Sequence, residues 1–164
     1  MVLFFDGSNT KETAEAGIYI LYPSRISIRL AVTLKGPCTN NRAEYEALLI
    51  GFEMLLELGV KRAKVYGDSQ LVIYQMNEEF KSISSVSQEC CKKARKLSKQ
   101  FKEITFIHIL SEENKVVDQL SQIASAREET PSQNDDFILQ EKVLEPLSET
   151  DKEGPENILE VYRI

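Results

Sequence analysis

The chain is poor in the residues that build disulfide-stapled, zinc-binding or membrane-spanning proteins. It has one histidine, no tryptophan and three cysteines, Cys38, Cys90 and Cys91, among 164 residues. An odd cysteine count with two adjacent positions argues against a disulfide framework and suits a reducing compartment. No apolar run approaches the ~20 residues of a membrane span, and the start, Met1 followed by VLFF, lacks the basic region of a signal peptide. The sequence therefore predicts an intracellular protein, cytoplasmic or nuclear, with no membrane partner.

The acidic balance of the chain is confined to its end. Residues 1–126 carry 16 Lys and Arg against 15 Asp and Glu, whereas residues 127–164 carry 4 against 11. The second segment is also rich in Pro and Ser, and such a composition buries too little apolar surface to offset the entropy of ordering. We therefore predict one domain at 1–126 and an acidic, disordered linker or tail at 127–164, with two apolar islands, FILQEKVL and ILEVYRI. An acidic total alone does not exclude a nucleic-acid partner.

Hydrophobic periodicity predicts five strands and four helices in the order β-β-β-α-β-α-α-β-α. The strands are expected at 2–6, 16–22, 26–34, 63–67 and 104–110, and the helices at 42–58, 69–77, 86–102 and 114–126. Three consecutive strands favour an antiparallel meander, whereas strands separated by helices add in parallel. The expected fold class is α/β, with a mixed five-stranded sheet flanked by helices.

Four acidic residues stand at the ends of apolar strands or at the starts of amphipathic helices, next to segments that are expected to be buried. They are Asp6, Glu44, Asp68 and Asp118. Asp6 and Asp68 each end an apolar, β-favouring run, and Glu44 and Asp118 fall in the first turn of predicted helices. A carboxylate at a strand's exit is costly to desolvate without a partner. Hard oxygen ligands with no His or Cys companion select Mg²⁺ or Mn²⁺. The pattern predicts a metal-dependent enzyme that acts on phosphates.

Three of the four acids also have an ordinary interpretation when taken singly. Asp68 suits an N-cap before SQLV, and Glu44 suits a favourable position at the helix dipole. Asp118 suits a solvated helix surface. The metal role depends on the four acids occurring as a set.

Four segments carry a resemblance to a known family: FFDGS, TNNRAEYEALLIGFEMLLELG, VYGDSQLVIYQ and HILSEENKVVDQLSQIAS. In this order, over about residues 2–126, they resemble the motifs of type-I ribonuclease H. More narrowly, they resemble its archaeal-like branch in plant gypsy-like retrotransposon polyproteins. The resemblance implies a ribonuclease H-like fold, an RNA–DNA hybrid as partner and cleavage of its RNA strand. It also implies tethering to reverse transcriptase or integrase domains, and we expect the isolated domain to be a monomer.

The resemblance assigns catalysis and metal binding to the same four acids, Asp6, Glu44, Asp68 and Asp118. The expected cofactor is a pair of Mg²⁺ ions about 3.5–4 Å apart, with Mn²⁺ as a substitute. Asp6 is expected to bridge both ions, Glu44 and Asp68 to complete the ion at the leaving group, and Asp118 to complete the ion at the nucleophile. The expected products carry 5′-phosphate and 3′-hydroxyl ends.

The resemblance also places substrate contacts on amide side chains and on one backbone turn. An amide can satisfy both the donor and the acceptor role of a ribose 2′-hydroxyl. The alternative is that these residues only fill turns and helix starts, where Asn and Gln are common. The predicted substrate-binding residues are Gly7, Ser8, Asn40, Asn41, Gln70 and Asn114.

Three further features leave alternatives open. His108 lies within an apolar strand, which favours a structural histidine over one that assists product release. The basic stripe Lys92, Lys93, Arg95, Lys96, Lys99 and Lys102 fits either DNA-strand phosphates or a solvated face. Ser111 stands where related sequences usually have Arg, so a catalytically weak or inactive hybrid-binding or connector domain is the second hypothesis. An integrase of the DDE type is disfavoured, because it takes its Glu from a late helix.

Overall fold

The computed structural model describes residues 1–9, 13–22, 27–77, 80–82, 85–115, 135–144 and 161–163. The strands are β1 (Val2–Asn9), β2 (Ala14–Leu21), β3 (Ser27–Lys35), β4 (Arg62–Gly67), β5 (Phe80–Ser82), β6 (Glu103–His108), β7 (Asp135–Val143) and β8 (Val161–Arg163). The helices are α1 (Asn40–Glu57), α2 (Gln70–Met76) and α3 (Ser85–Ser98). None of these helices is long and apolar enough to cross a bilayer. The predicted helix at 114–126 lies, beyond residue 115, outside the described residues.

The main sheet is mixed and has the strand order β6-β4-β1-β2-β3-β7. Strands β1, β2 and β3 form an antiparallel meander, while β4 joins β1 in parallel and β6 joins β4 in parallel. The five predicted strands correspond to β1, β2, β3, β4 and β6, so the predicted fold class is confirmed. Strands β5 and β8 form a separate antiparallel pair, which the sequence analysis did not predict.

A sixth strand corrects the predicted count of five. Strand β7 pairs in parallel with β3 along the whole of Ser27–Lys35. It falls within 127–164, so the predicted disorder does not hold for this segment, because the island FILQEKVL supplies enough apolar, β-favouring residues to pair. Leu144, just after β7, is buried, and its N–H donates to the Lys35 carbonyl at 2.8 Å. Where the domain ends in this part of the chain stays a prediction.

Helix α1 packs on one face of the meander. Leu3, Phe5, Ile18 and Ile20 alternate along β1 and β2 and are fully buried. At Gly51 of α1, a Cβ atom would stand 2.8 Å from Cδ2 of Leu3, so the glycine lets the helix lie close to β1. The core therefore sits between α1 and the two central strands, and it fixes the height of α1 above β1.

Both ends of α1 have capping contacts that set its position along the chain. The Thr39 hydroxyl accepts from the Arg42 N–H at 3.1 Å, which makes Thr39 the N-cap. At the other end, Gly59 has φ +75° and the Val60 N–H donates to the Leu55 carbonyl at 3.0 Å, the pattern of a glycine-ended helix. The helix begins two residues earlier than predicted, so Glu44 lies in its second turn rather than its first.

Candidate active site

Three of the four predicted acids converge at one end of the sheet. Strands β1 and β4 run parallel with Phe5 opposite Gly67. The residues that follow, Asp6 and Asp68, therefore lie at the same end of the sheet. Glu44 approaches from α1, and one carboxylate oxygen from each of the three acids lies within 4.8 Å of the others. Asp6 and Glu44 are only 5% and 8% exposed. The chain thus concentrates negative charge in a largely dehydrated place.

Gly7 makes this approach possible. A Cβ atom at Gly7 would stand 2.4 Å from the carbonyl carbon of Ala43 and 2.6 Å from the backbone nitrogen of Glu44. The backbone of β1 therefore touches the backbone of α1 directly, and no residue with a side chain fits between them. The Gly7 N–H also hydrogen-bonds to the Glu44 carboxylate. Gly7 thus holds Glu44 beside Asp6.

The charged form of the Glu44 carboxylate is destabilised by its surroundings. Burial raises its pKa well above the ordinary value, and the neighbouring Asp6 and Asp68 raise the pKa further, while the Gly7 N–H acts in the opposite direction. Its Oε2 atom is buried and has no hydrogen-bond partner among the described residues. An all-oxygen set with an unsatisfied buried oxygen fits a hard divalent cation such as Mg²⁺, which would neutralise the repulsion.

The ordinary interpretation of Asp68 as an N-cap is wrong. The cap of α2 is Ser69, whose hydroxyl accepts from the Val72 N–H at 3.3 Å. The Asp68 carboxylate is therefore not needed to cap the helix. A serine directly before the helical run was the sequence signal for this cap.

His108 is a strand histidine, as predicted, and it also touches the site. It ends β6, and its Nε2 lies 3.3 Å from the backbone oxygen of Asp68. Its ring centroid lies 6.0 Å from that of Tyr74 in α2. His108 therefore helps to fix the backbone between β4 and α2, which the sequence analysis did not foresee.

The predicted substrate residues occupy two kinds of position. Asn40 and Gln70 are exposed and Asn41 is partly exposed, at the first turns of α1 and α2 beside the acids. Gly7 and Ser8 do not form a turn, because β1 stays paired with β2 through Asn9. Both residues are partly exposed within the strand.

Asn114 lies in the interior. It is 1% exposed, and its Nδ2 donates to the Phe5 carbonyl at 3.0 Å. This contact ties the turn after β6 to β1, one residue before Asp6. Its Oδ1 is buried without a hydrogen-bond partner in the described ranges. Asp118 itself lies outside the described residues.

The basic stripe is divided by the structure. Lys92, Lys93, Lys96 and Lys99 are exposed on α3 or just after it. Arg95 instead turns inward, and its Nη2 donates to the Gln75 carbonyl at 2.7 Å. A cleft of about 450 Å³ between α1, α3 and β7 is lined by Arg42, Glu46, Leu49, Glu53, Lys93, Lys96, Leu97, Gln100, Lys142 and Val143. None of the three clustered acids lines this cleft.

Comparison with known proteins identifies relatives over most of the chain. The family model described as reverse transcriptase-like matches residues 4–124. The "Bifunctional protein Rv2228c" of Mycobacterium tuberculosis is 33% identical over 86 residues, which are 52% of this chain and 24% of that protein. The chain thus spans about a quarter of the length of the curated relatives it matches.

Solved structures resemble the chain over the same extent. RNase H1 from the halophilic archaeon Halobacterium salinarum NRC-1 superposes with a TM-score of 0.72 and 25% identity, covering 77% of this chain and 98% of that one. LC11-RNase H1, solved in complex with an RNA/DNA hybrid, gives a TM-score of 0.69 and 26% identity, covering 77% of this chain and 99% of that one. The family match ends at residue 124, before β7 begins.

Proposed function

Because the chain belongs to the reverse transcriptase-like family, we propose that it is an endoribonuclease that hydrolyses the RNA strand of RNA–DNA hybrids. It has the ribonuclease H-like fold that the sequence predicts. The observation that supports the proposal most strongly is the convergence of Asp6, Glu44 and Asp68 at one end of the sheet, where one carboxylate oxygen of each lies within 4.8 Å of the others. The two structural neighbours described above are ribonucleases H1, and one of these two was solved with an RNA/DNA hybrid.

The three clustered acids would hold Mg²⁺ ions, with Mn²⁺ as a substitute, and Asp118 is proposed as the fourth ligand. Bound Mg²⁺ ions in a paired site supply an activated water and stabilise the leaving 3′ oxygen, which leaves 5′-phosphate and 3′-hydroxyl ends. Asp6 would serve both ions, because it stands on β1 in the interior of the sheet and one of its carboxylate oxygens lies within 4.8 Å of those of Glu44 and Asp68.

The remaining residues of the site would bind and position. Asn40, Asn41 and Gln70 would present amide groups to ribose 2′-hydroxyls, which distinguishes RNA from DNA. Their exposure at the first turns of α1 and α2 supports this role. Gly7 and Ser8 would approach the RNA through their backbone at the end of β1.

Asn114 is proposed to act on the fourth acid rather than on the hybrid. Its hydrogen bond to Phe5 anchors the chain beside Asp6. Residues four positions apart on a helix share a face, so anchoring Asn114 would direct Asp118 toward the same edge of the sheet.

The test is cleavage of a labelled RNA–DNA hybrid in Mg²⁺ and then in Mn²⁺. We expect hybrid cleavage by the unaltered chain, none of single-stranded RNA, and none by Asp68→Asn. Glu53→Gln is the matched control, since Glu53 is an exposed acid of α1 outside the cluster, and it should cleave normally. Undiminished cleavage by Asp68→Asn would overturn the proposal.

A weak or inactive hybrid-binding domain is the second candidate. Ser111, where related sequences usually have Arg, is exposed in the turn after β6, and its carbonyl accepts from the Asn114 N–H at 3.1 Å. An Arg there would add a fixed positive charge near the site. Calorimetry with hybrid present separates the candidates, because an inactive site should take up no Mg²⁺, while Ser111→Arg should strengthen hybrid binding in either case.

We further infer that the domain works within a retrotransposon polyprotein of the archaeal-like branch, tethered to reverse transcriptase or integrase domains. The acidic residues 127–164 and the ordered motifs support this context, and the free cysteines suit a reducing cytoplasm or nucleus. Tethering would raise the effective concentration of the hybrid. Equal cleavage rates by the isolated chain and a chain fused to its neighbour would contradict this role.

A further inference from the structure

A buried polar contact joins the two helices that flank the acidic cluster. The Tyr45 hydroxyl of α1 donates to Oε1 of Gln75 in α2, and both side chains are fully buried. Tyr45 directly follows Glu44, and Gln75 lies near the end of the helix that begins after Asp68. The contact therefore links α1, which carries Glu44, to α2, which begins two residues after Asp68.

Arg95 extends this contact to a third helix. Its Nη2 donates to the Gln75 backbone oxygen at 2.7 Å, so α3 holds the last turn of α2. Cys91 of α3 also lies beside the Tyr45 hydroxyl, so α3 contacts both partners of the buried bond.

The contact lies within the hydrophobic core, in the same buried cluster as Val72, Ile73 and Ala94. Burying hydroxyl and amide groups in such a place costs free energy unless they are hydrogen-bonded. Nε2 of Gln75 and Nε of Arg95 are buried with no hydrogen-bond partner in the part of the chain that the structure describes. The bonds that are made, Tyr45 to Gln75 and Arg95 to Gln75, favour one arrangement of the three helices, because breaking either would leave another buried polar group unpaired.

Helix α2 needs such a contact because it has only seven residues. Isolated helices shorter than ~12–15 residues are marginal in water, so tertiary contacts must hold this one. We propose that Tyr45, Gln75 and Arg95 are positioning residues that hold α2 against α1 and thereby set the separation of Glu44 and Asp68. The link to metal binding rests on the proposed function, whereas the holding of α2 does not.

The separation of Glu44 and Asp68 matters because the proposed metal–oxygen bonds are short and have a fixed geometry. Mg²⁺ requires oxygen ligands at about 2.0–2.1 Å in near-ideal octahedral geometry. Asp68 stands two residues before α2, so a drift of α2 would shift Asp68 relative to Glu44 and Asp6 and weaken such a site. The contact would therefore act on metal affinity without touching metal or hybrid.

The first measurement is amide hydrogen exchange in the full chain without metal, comparing the unaltered protein with Tyr45→Phe. We expect the Ile73 and Asn77 amides of α2 to exchange at least about fivefold faster, relative to the amides of β2, because one hydrogen bond is lost. Gln75→Met should give the same pattern. Phe52→Leu is the matched control, since Phe52 is buried in α1 against Phe101 and Phe106, and it should affect α2 and β2 equally. An α2 that loosens no more than β2 in Tyr45→Phe would overturn the inference.

The second measurement is Mg²⁺ affinity of the same variants by calorimetry. We expect about fivefold weaker binding in Tyr45→Phe and unchanged binding in Phe52→Leu. Equal affinity in Tyr45→Phe, despite a loosened α2, would overturn the link to the acids. An unaltered chain that binds no Mg²⁺ would instead count against the proposed function, and the exchange data would still decide whether the contact holds α2.

Discussion

The side-chain amide of Asn114 donates a hydrogen bond to the carbonyl of Phe5, 109 positions earlier in the chain and directly before Asp6. The bond is buried, so Asn114→Ala leaves a carbonyl without its partner. We expect the free energy of unfolding to fall by about 1–3 kcal/mol, measured by urea denaturation. Hybrid cleavage should fall by tenfold or more, roughly the cost of misplacing a catalytic group. Asn77→Ala removes a similar but exposed bond to Phe106, and it should cost less than ~1 kcal/mol and leave cleavage intact.

Gly7→Ala should separate β1 from α1. The added methyl group would overlap the backbone of Ala43, which cannot rotate away as a side chain can. We expect a loss of about 1–3 kcal/mol in unfolding free energy together with loss of cleavage. Gly59→Ala is the comparison, because its cost of about 1–2 kcal/mol comes only from positive φ and its Cβ would meet nothing within 4 Å. Normal cleavage by a folded Gly7→Ala variant would contradict the positioning of Glu44 by Gly7.

The metal-free chain should lose stability as the pH rises. The pKa of Glu44 in the folded chain lies above its ordinary value of 4.5. Above that pH the folded state therefore binds more protons than the unfolded state, so this contribution is complete below 4.5 and declines toward the folded pKa. Urea midpoints in EDTA at increasing pH should fall less steeply in Glu44→Gln than in the unaltered chain.

A second buried carboxyl provides the control for this pH effect. Burial also raises the pKa of Glu15, against the opposing hydrogen bond from Thr13. Glu15→Gln should likewise flatten the pH dependence of the midpoint. Mg²⁺ should abolish the contribution of Glu44 and leave that of Glu15 unchanged, because only Glu44 belongs to the acid cluster. A Mg²⁺ effect of equal size in Glu44→Gln and in the unaltered chain would contradict the assignment.

Strand β7 should stabilise α1 through one ion pair. Nζ of Lys142 lies 2.6 Å from Oε1 of Glu46, and Glu46 is buried beside Arg42. Lys142→Met should lower the unfolding free energy by about 1 kcal/mol. Lys35→Met removes an exposed pair with Glu141 and should cost less than that, since exposed pairs contribute about 0–1 kcal/mol. Thermal denaturation of both variants measures the difference, and equal losses would show that burial of Glu46 adds nothing.

The sequence predicted the parts of the fold that depend on local pattern. The apolar, β-favouring run that ends at Asp6 marked β1, and the ordered acids marked Asp6, Glu44 and Asp68, which the structure brings together. These features can be predicted because they depend on residues that are close together in the sequence.

The remainder depends on contacts between distant segments. Arg95 has the same spacing as the exposed lysines of α3, and only the packing of α2 turns it inward. The sequence assigned Asn114 to the substrate, and it gave no sign of the hydrogen bond to Phe5, 109 positions away. Strand β7 was assigned to the disordered tail because the prediction used the composition of the whole segment 127–164, in which the apolar residues of β7 are outnumbered by polar and acidic ones.

The family match ends at residue 124, while the sheet continues to Val143. A chain cut at the family boundary would expose the nine-residue edge of β3, with the run LAVTL at its centre. Such an open, apolar edge invites pairing between molecules and aggregation. Strand β7 covers this edge, and its own sequence contains Asp135, Asp136, Glu141 and Lys142, residues of the kind that discourage further strand addition. By occupying the β3 edge, strand β7 would thus keep neighbouring copies from joining their sheets there.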